Sequence, residues 1–404
     1  IAAFIKISEV YSFMAKPAIL GGKPAFAPGL KLVDISFSNY EFVFSRMREA
    51  MDSSLLTNNG MFVRQFEGAL GKKVGVDCVA VANATLGLML LYKAAGLRGK
   101  IIMPSFTFCA TAHAAVWAGL EPVFVDIDPE TFTIDPSAVE EAIDDKTSAI
   151  VGVHTFGNPC DIDRLSSIAK KHDVRLLFDS AHAFGSTYKG RAIGQFGDAE
   201  VFSTHATKTL ITGEGGFVAS ADTRIIDYVK RARNFGFDDK NTDTLFCGMN
   251  AKMTEMSAIL GLDILTGTHN AIEQKGKIAA RFRSRLGKLP GISFQKVGSE
   301  SYHSYCFFGM LIDPVDFGLD RDVLSRALAA ENIMTRKYFY PPLHLHSSYK
   351  KYNFLKLPNT MNVSENVLCL PIHSKVSAKA ADTICDAIET IHRHALDVRN
   401  ARTD

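Results

Sequence analysis

The sequence predicts an α/β protein with a mostly parallel sheet covered by helices on both faces, followed by a smaller C-terminal unit. Two observations carry this. From about residue 75, short apolar runs alternate with helix-like stretches. The apolar runs are also nearly continuous, as strands buried on both faces require.

The elements follow in order. CVAVA (78–82) reads as a strand, and TLGLMLLYKAAGL (85–97) as a buried helix ending near Gly96. KIIMP (100–104) is a strand, ATAHAAVWAG (110–119) a helix, and PVFVDID (122–128) a strand. SAVEEAI (137–143), SAIVGVH (148–154) and DIDRLSSIAKKHD (161–173) continue as helix, strand and amphipathic helix. VRLLFDS (174–180) and AEVFST (199–204) are further strands. EMSAILGLDIL and EQKGKIAARFRSRLGKL read as two long helices that carry the chain out of the first unit. From about residue 290 come a strand CFFGMLI (306–312), a helix RDVLSRALAAE (321–331), the YFYPPLH loop and a final amphipathic helix. The expected division is an N-terminal segment 1–35, a large domain 36–265 and a small domain 266–404. Residues 1–13 are set aside, because Met14 is a plausible natural start.

Composition narrows the function. The 404 residues carry a formal net charge of +2 with no basic block, so a nucleic-acid partner has little support. No apolar run has the length of a membrane span. The seven cysteines are scattered without CxxC pairs, which reads as reduced thiols in a cytoplasmic protein. No Cys/His cluster has metal-ligand spacing, so no metal is expected.

The densest chemistry lies between Asp179 and Gly216. Asp179 ends one strand and Lys208 follows the next, at the sheet edge where α/β proteins bind ligands. An acid and a lysine converging there suit pyridoxal phosphate: the acid keeps the pyridine nitrogen protonated, and the amine joins the cofactor and moves protons. Four flanking features fit a phosphate-bearing ring. GEGG (213–216) allows close backbone approach. NAT (83–85) opens a helix whose N–H groups can take an anion. Ser203 offers a hydroxyl, and Phe108 a stacking face. His182 can bond the phenolic oxygen or orient Asp179. Ordinary roles also stand open: a turn for GEGG, an N-cap by Asn83 or Thr85, a backbone bond for Ser203, core packing for Phe108 and a structural histidine at 182.

Taken together, ANATLGL (82–88), MPSFTFCATAHAAVWAGLEPVFVDIDPETFTIDP (103–136), GVHTFGNPCDID (152–163), FDSAHAFGS (178–186), GDAEVFSTHATKTLITGEGG (197–216), RNFGF (233–237), NAKMTEMSAILGL (250–262), YPPLH (340–344) and LCLPIH (368–373) resemble the DegT/DnrJ/EryC1/StrS sugar-nucleotide aminotransferases. The resemblance runs from about residue 20 to 392. It implies the fold-type-I architecture of pyridoxal-phosphate transferases, with a mostly parallel seven-stranded sheet and a smaller α+β domain. It implies Lys208 as the cofactor lysine, Asp179 as the pyridine-nitrogen partner, His182 beside the phenolic oxygen and Phe108 as the stacking ring. Ala84, Thr85 and Ser203 match phosphate-cradling positions. Asn250 matches an asparagine that reaches the phosphate across a homodimer interface.

The blocks FDSAHAFGS, EVFSTHATK and NFGF are closest to members that aminate C-4 of a dTDP-4-keto-6-deoxyhexose, with L-glutamate as donor. Members acting at C-3 share nearly the same chemistry. Others replace the lysine by histidine and dehydrate the sugar, and a non-catalytic cofactor-binding protein is a further alternative. Two departures touch substrate contacts: Lys252 stands where many relatives have arginine, and Thr204 where many have an aromatic. His344, in YPPLH, is a candidate sugar contact.

Overall fold

A computed structural model describes residues 16–401 except 36, so the reading of residues 1–13 lies outside the described residues. Two helices that the sequence reading left unassigned come first: α1 (Tyr40–Asp52) and α2 (Met61–Val74). The alternating region then gives β1 (Asp77–Val81), α3 (Ala84–Ala94), β2 (Lys100–Pro104), α4 (Cys109–Trp117), β3 (Glu121–Val125) and α5 (Pro136–Ala142). It continues with β4 (Thr147–Val153), α6 (Ile162–His172), β5 (Arg175–Asp179), β6 (Ala199–Ser203), β7 (Gly216–Ser220) and α7 (Thr223–Ala232).

These seven strands form one sheet in the order β1-β7-β6-β5-β4-β2-β3. β3, β2, β4, β5 and β6 run parallel, and β7 is antiparallel to both its neighbours. The expected fold class therefore holds. GEGG, read as allowing close backbone approach with a turn as the alternative, ends by starting β7, a strand the sequence reading did not assign. Side chains alternate across the sheet with the strand period of two. Phe178, Phe202 and Phe217 face one core with Phe66, Leu70 and Ile259. Leu177, Val201 and Val218 face the other with Leu88, Leu91 and Ile226. Both faces are covered, which explains the unbroken apolar runs.

One expectation is corrected. The two long helices are a single helix, α8 (Glu255–Leu286), of 32 residues. The stretch TGTHN reads as a break because glycine and threonine are weak helix formers. No proline interrupts it, and the Thr268 hydroxyl bonds the Ile264 carbonyl at 2.9 Å. Ser38 lies against Gly267, where a Cβ would sit 3.0 Å from its oxygen. The helix passes uninterrupted through the expected boundary at 265/266. Beyond it, β8 (Ile292–Phe294), β9 (Phe308–Ile312), α9 (Arg321–Ala330), β10 (Val367–Leu370) and α10 (Ala378–Arg393) follow. β8-β9-β10 form a small antiparallel sheet. Phe308, Met310, Leu324 and Ile388 pack there against Phe282 of α8.

Two polar contacts fix the first helices to the sheet. Arg233, from RNFGF, is 4% exposed and bridges Glu67 of α2 and the Ala80 carbonyl of β1. Glu255 is buried at the start of α8, and its carboxylate accepts the N–H of Phe62 at 2.7 Å and of Val63 at 3.3 Å. It caps α2 in place of its N-cap residue Gly60, which has no side chain to do so. A Cβ at Gly60 would lie 2.7 Å from the Glu255 carboxylate carbon. Replacing Glu255 by Ala should therefore lower stability by about 1–2 kcal/mol in denaturant unfolding; an unchanged midpoint would show that the cap contributes nothing.

Candidate functional site

Parallel strands β5 and β6 end at the same sheet edge, with Asp179 in register with Val201. The loop after Ser203 then turns back over that edge and carries Lys208. Asp179 and Lys208 line one cavity of ≈ 300 Å³, with Ala84, Thr85, Phe108, His182 and Ser203. Seven of the eight expected site residues are thus brought together. Asn250 is not among them: it is exposed and forms an isolated bridge with Asn234.

Asp179 is 5% exposed. One carboxylate oxygen accepts the Thr111 hydroxyl at 2.7 Å, and the other the Ala181 N–H at 3.1 Å. Burial raises its pKa, against these hydrogen bonds and the Lys208 charge, which lower it. Lys208 is partly exposed along the cavity, 5.4 Å above the Phe307 ring. Burial lowers its amine below the ordinary lysine value, while Cys306 and Asp179 oppose that shift. A lysine with a lowered pKa serves as a proton acceptor near neutral pH.

His182 is 6% exposed and stacks parallel to Phe339. Its Nδ1 accepts the Phe156 N–H at 3.2 Å, so the proton of the neutral ring sits on Nε2. Burial first, and the Lys208 charge second, push its pKa well below the usual histidine value. His182 is thus a neutral hydrogen-bond donor at Nε2.

The opposite end of the cavity is built for an anion. Asn83 caps α3 by accepting the Leu86 N–H at 2.9 Å, so the capping role weighed for Asn83 is real. It does not consume the N–H groups of Ala84 and Thr85, which have no helical acceptor. Thr85 and Ser203 add hydroxyls beside them. Ser203 also accepts the His205 N–H at 3.3 Å. Gly216 allows this approach, because a Cβ there would lie 2.8 Å from the Ala84 nitrogen. Phe108 is 55% exposed, unlike a core phenylalanine, and stands at the N-terminus of α4 in the cavity wall.

Several residues of the site and its support escaped the sequence reading. Thr111 lies three residues beyond Phe108, and helical spacing brings both to one end of α4. Arg336, Tyr338 and Phe339 come from the C-terminal unit, where no local pattern points to the cavity. His344 is corrected as a sugar contact: it is 1% exposed and its Nδ1 bonds Ser105 at 2.7 Å. Lys252 lies apart, over the Phe235 ring and bonded to Asn234 at 3.2 Å. Thr204 is buried and bonds Thr212 at 2.6 Å, so it offers the cavity no side chain.

Known proteins share this arrangement of chain. The sequence matches the DegT/DnrJ/EryC1/StrS aminotransferase family over residues 39–389. A dTDP-4-amino-4,6-dideoxy-D-glucose transaminase of Shigella dysenteriae is 35% identical over 337 residues, covering 83% of this chain and 91% of that protein. A GDP-perosamine synthase of Escherichia coli O157:H7 is 30% identical over 352 residues, covering 86% and 94%. The crystal structure of DesI in the presence of its TDP-sugar product superposes with a TM-score of 0.88 at 38% identity, covering 95% of this chain and 99% of that one.

The neutral state of His182 is measurable. Its folded pKa lies below the unfolded value, so its contribution to stability is complete above pH ~6.5 and is lost as the pH falls below it. Between pH 6.5 and 5.5, urea unfolding of His182→Gln should lose about 1 kcal/mol less stability than the parent chain. Equal losses would mean that the folded imidazole takes up the proton.

Proposed function

This chain belongs to the DegT/DnrJ/EryC1/StrS aminotransferase family, and we propose that it moves an amino group from L-glutamate to the C-4 oxo carbon of a nucleotide-linked keto-deoxysugar. The substrate we assign is dTDP-4-keto-6-deoxyglucose, and the product dTDP-4-amino-4,6-dideoxyglucose. The observation that carries the reading is the meeting of Asp179, Lys208 and a helix N-terminus in one cavity. The names of the Shigella relative and of DesI's TDP-sugar product support the sugar and the nucleotide.

Pyridoxal phosphate fits the donor set. A carboxylate stands for the ring nitrogen, an amine for the aldehyde carbon, a neutral Nε2–H for the phenolic oxygen and an anion cradle for the phosphate. When bound, the cofactor supplies an electron sink for the carbon that loses a proton. The chain's own residues do the rest. Asp179 keeps the ring nitrogen protonated, and Thr111 holds its carboxylate in place. Ala84, Thr85 and Ser203 bind the phosphate, Phe108 covers one ring face, and His182 Nε2–H donates to the phenolic oxygen. Lys208 Nζ takes a proton from the α-carbon of glutamate and later delivers one to C-4 of the sugar. The donor leaves as 2-oxoglutarate with its oxo oxygen taken from water, and the C-4 oxygen of the sugar leaves as water, so the exchange balances.

The lysine at 208 favours amino transfer over the dehydration that histidine-bearing relatives perform. The exposed apolar side chains Tyr40, Phe44, Met51 and Leu55 support a homodimer. In it, Asn250 of the partner subunit completes the phosphate cradle. Sedimentation should give twice the mass of one chain; a monomer would exclude this arrangement. Among the described residues no helix is long and apolar enough to cross a membrane.

Incubation of the enzyme with pyridoxal phosphate, L-glutamate and dTDP-4-keto-6-deoxyglucose, followed by mass spectrometry and NMR, tests the reading. Replacement of the C-4 oxygen by an amino group is expected. Loss of water from the sugar would assign a dehydratase, and an unchanged sugar would contradict the proposal. Replacing Lys208 by Ala should lower turnover by at least about 1000-fold. Replacing Asp179 by Asn should lower it by about 100- to 1000-fold. Turnover at the parental rate in either variant would remove that residue from the mechanism.

A further inference from the structure

Beside this site lies a second cavity of ≈ 380 Å³, and the two share Thr207 and Lys208 in their walls. One side of it is a stripe of α8, where Gly267, Asn270, Gln274 and Lys275 recur at helical spacing. Asp34, from the segment before α1, and His373, from the loop after β10, close the other side. The function proposed above makes no use of Lys275 or His373.

Both residues are buried without the partners that their chemistry calls for. Lys275 is 7% exposed, and among the described residues its partner is a neutral group, the Thr209 hydroxyl at 3.1 Å. A buried ammonium ordinarily has a carboxylate beside it. His373 is also 7% exposed. Its Nε2 donates to the Lys31 carbonyl oxygen at 3.1 Å, which leaves a lone pair on Nδ1 with no partner. The carboxylate in the wall, Asp34, is already bonded to Lys375 at 2.8 Å. Two amines, Lys208 and Lys275, thus line a cavity whose carboxylate is already neutralised. The cavity calls for an anionic group, and for an N–H or O–H donor to His373.

We propose that this cavity is the carboxylate pocket of the amino donor, in which Lys275 Nζ binds the side-chain carboxylate of a dicarboxylic amino acid whose amino group reacts beside Lys208. The Asn270 and Gln274 amides add hydrogen-bond donors along the same wall. Lys275 is a specificity-determining residue: it selects glutamate over monocarboxylic donors. The assignment rests on the aminotransferase reading and adds to it the residue that recognises the donor.

Each half of the reaction is measured separately on the full-length holoenzyme, from the cofactor absorbance. The donor half uses L-glutamate or L-alanine, and the sugar half runs in reverse from the amino-sugar nucleotide. With Lys275→Met, the half-saturating concentration of L-glutamate should rise about tenfold or more, as loss of a charge-assisted hydrogen bond predicts. Rates with L-alanine and with the amino-sugar nucleotide should stay near parental, and Lys275→Arg should retain glutamate affinity. An unchanged glutamate dependence overturns the proposal. So does an equal loss with all three substrates, which marks a structural lysine. Lys275→Gln makes the same comparison if the Met variant does not fold. Inorganic phosphate competing with L-glutamate as strongly as 2-oxoglutarate does would also overturn it, by showing a general anion site. A parent enzyme that reacts with glutamate but aminates no keto-sugar nucleotide would sink the sugar reading and leave the donor pocket standing. A parent enzyme inert to glutamate would sink both.

Discussion

The site depends on two groups of opposite charge, Asp179 and Lys208, set in the wall of one cavity. Asp179 ends β5, and Lys208 lies on the loop that leaves the adjacent parallel strand β6, so the sheet register sets the origin of that loop beside the acid. Burial works against each charge, raising the pKa of the acid and lowering that of the amine. Each therefore depends on the other, on Thr111 and on whatever fills the space between them. A positively charged ring nitrogen beside Asp179 and a carbonyl carbon beside Lys208 would relieve both burdens at once.

The antiparallel strand β7 is the topological device that completes the site. The chain leaves β6, passes over the sheet edge with Lys208 and returns through Gly215 and Gly216. That return sets backbone against the N-terminus of α3, where any side chain would collide with Ala84. The amine, the acid and the anion cradle therefore come from segments that leave neighbouring positions in the sheet, β6, β5 and, across β7, β1. The C-terminal unit contributes Tyr338 and Phe339, which close the cavity from above the sheet edge and help to shield the reacting atoms from water.

The parts legible in the sequence were those written locally. Apolar runs of strand length marked β1 to β6, and the acid at the end of β5 marked the binding edge. Their spacing carried Lys208, Phe108 and the opening of α3 to the same place. Other features are set by tertiary contacts and leave little local trace. The middle of α8 has weak helix propensity and stays helical because its faces pack against the rest of the molecule. β7 begins with glycine, which sequence patterns read as a turn. His344 sits in a motif that suggests function, yet its ring is consumed by Ser105. Arg336 and Phe339 lie more than a hundred residues from Lys208 along the chain, and only the fold brings them to it.

The most direct measurement is chemical. The protein is incubated with pyridoxal phosphate, reduced with borohydride and digested, and the cofactor mass is mapped to a peptide. The account predicts one label per chain, on Lys208, and its strong reduction when Asp179 is replaced by Ala. Label spread over exposed lysines, or concentrated on any lysine other than 208, would contradict it.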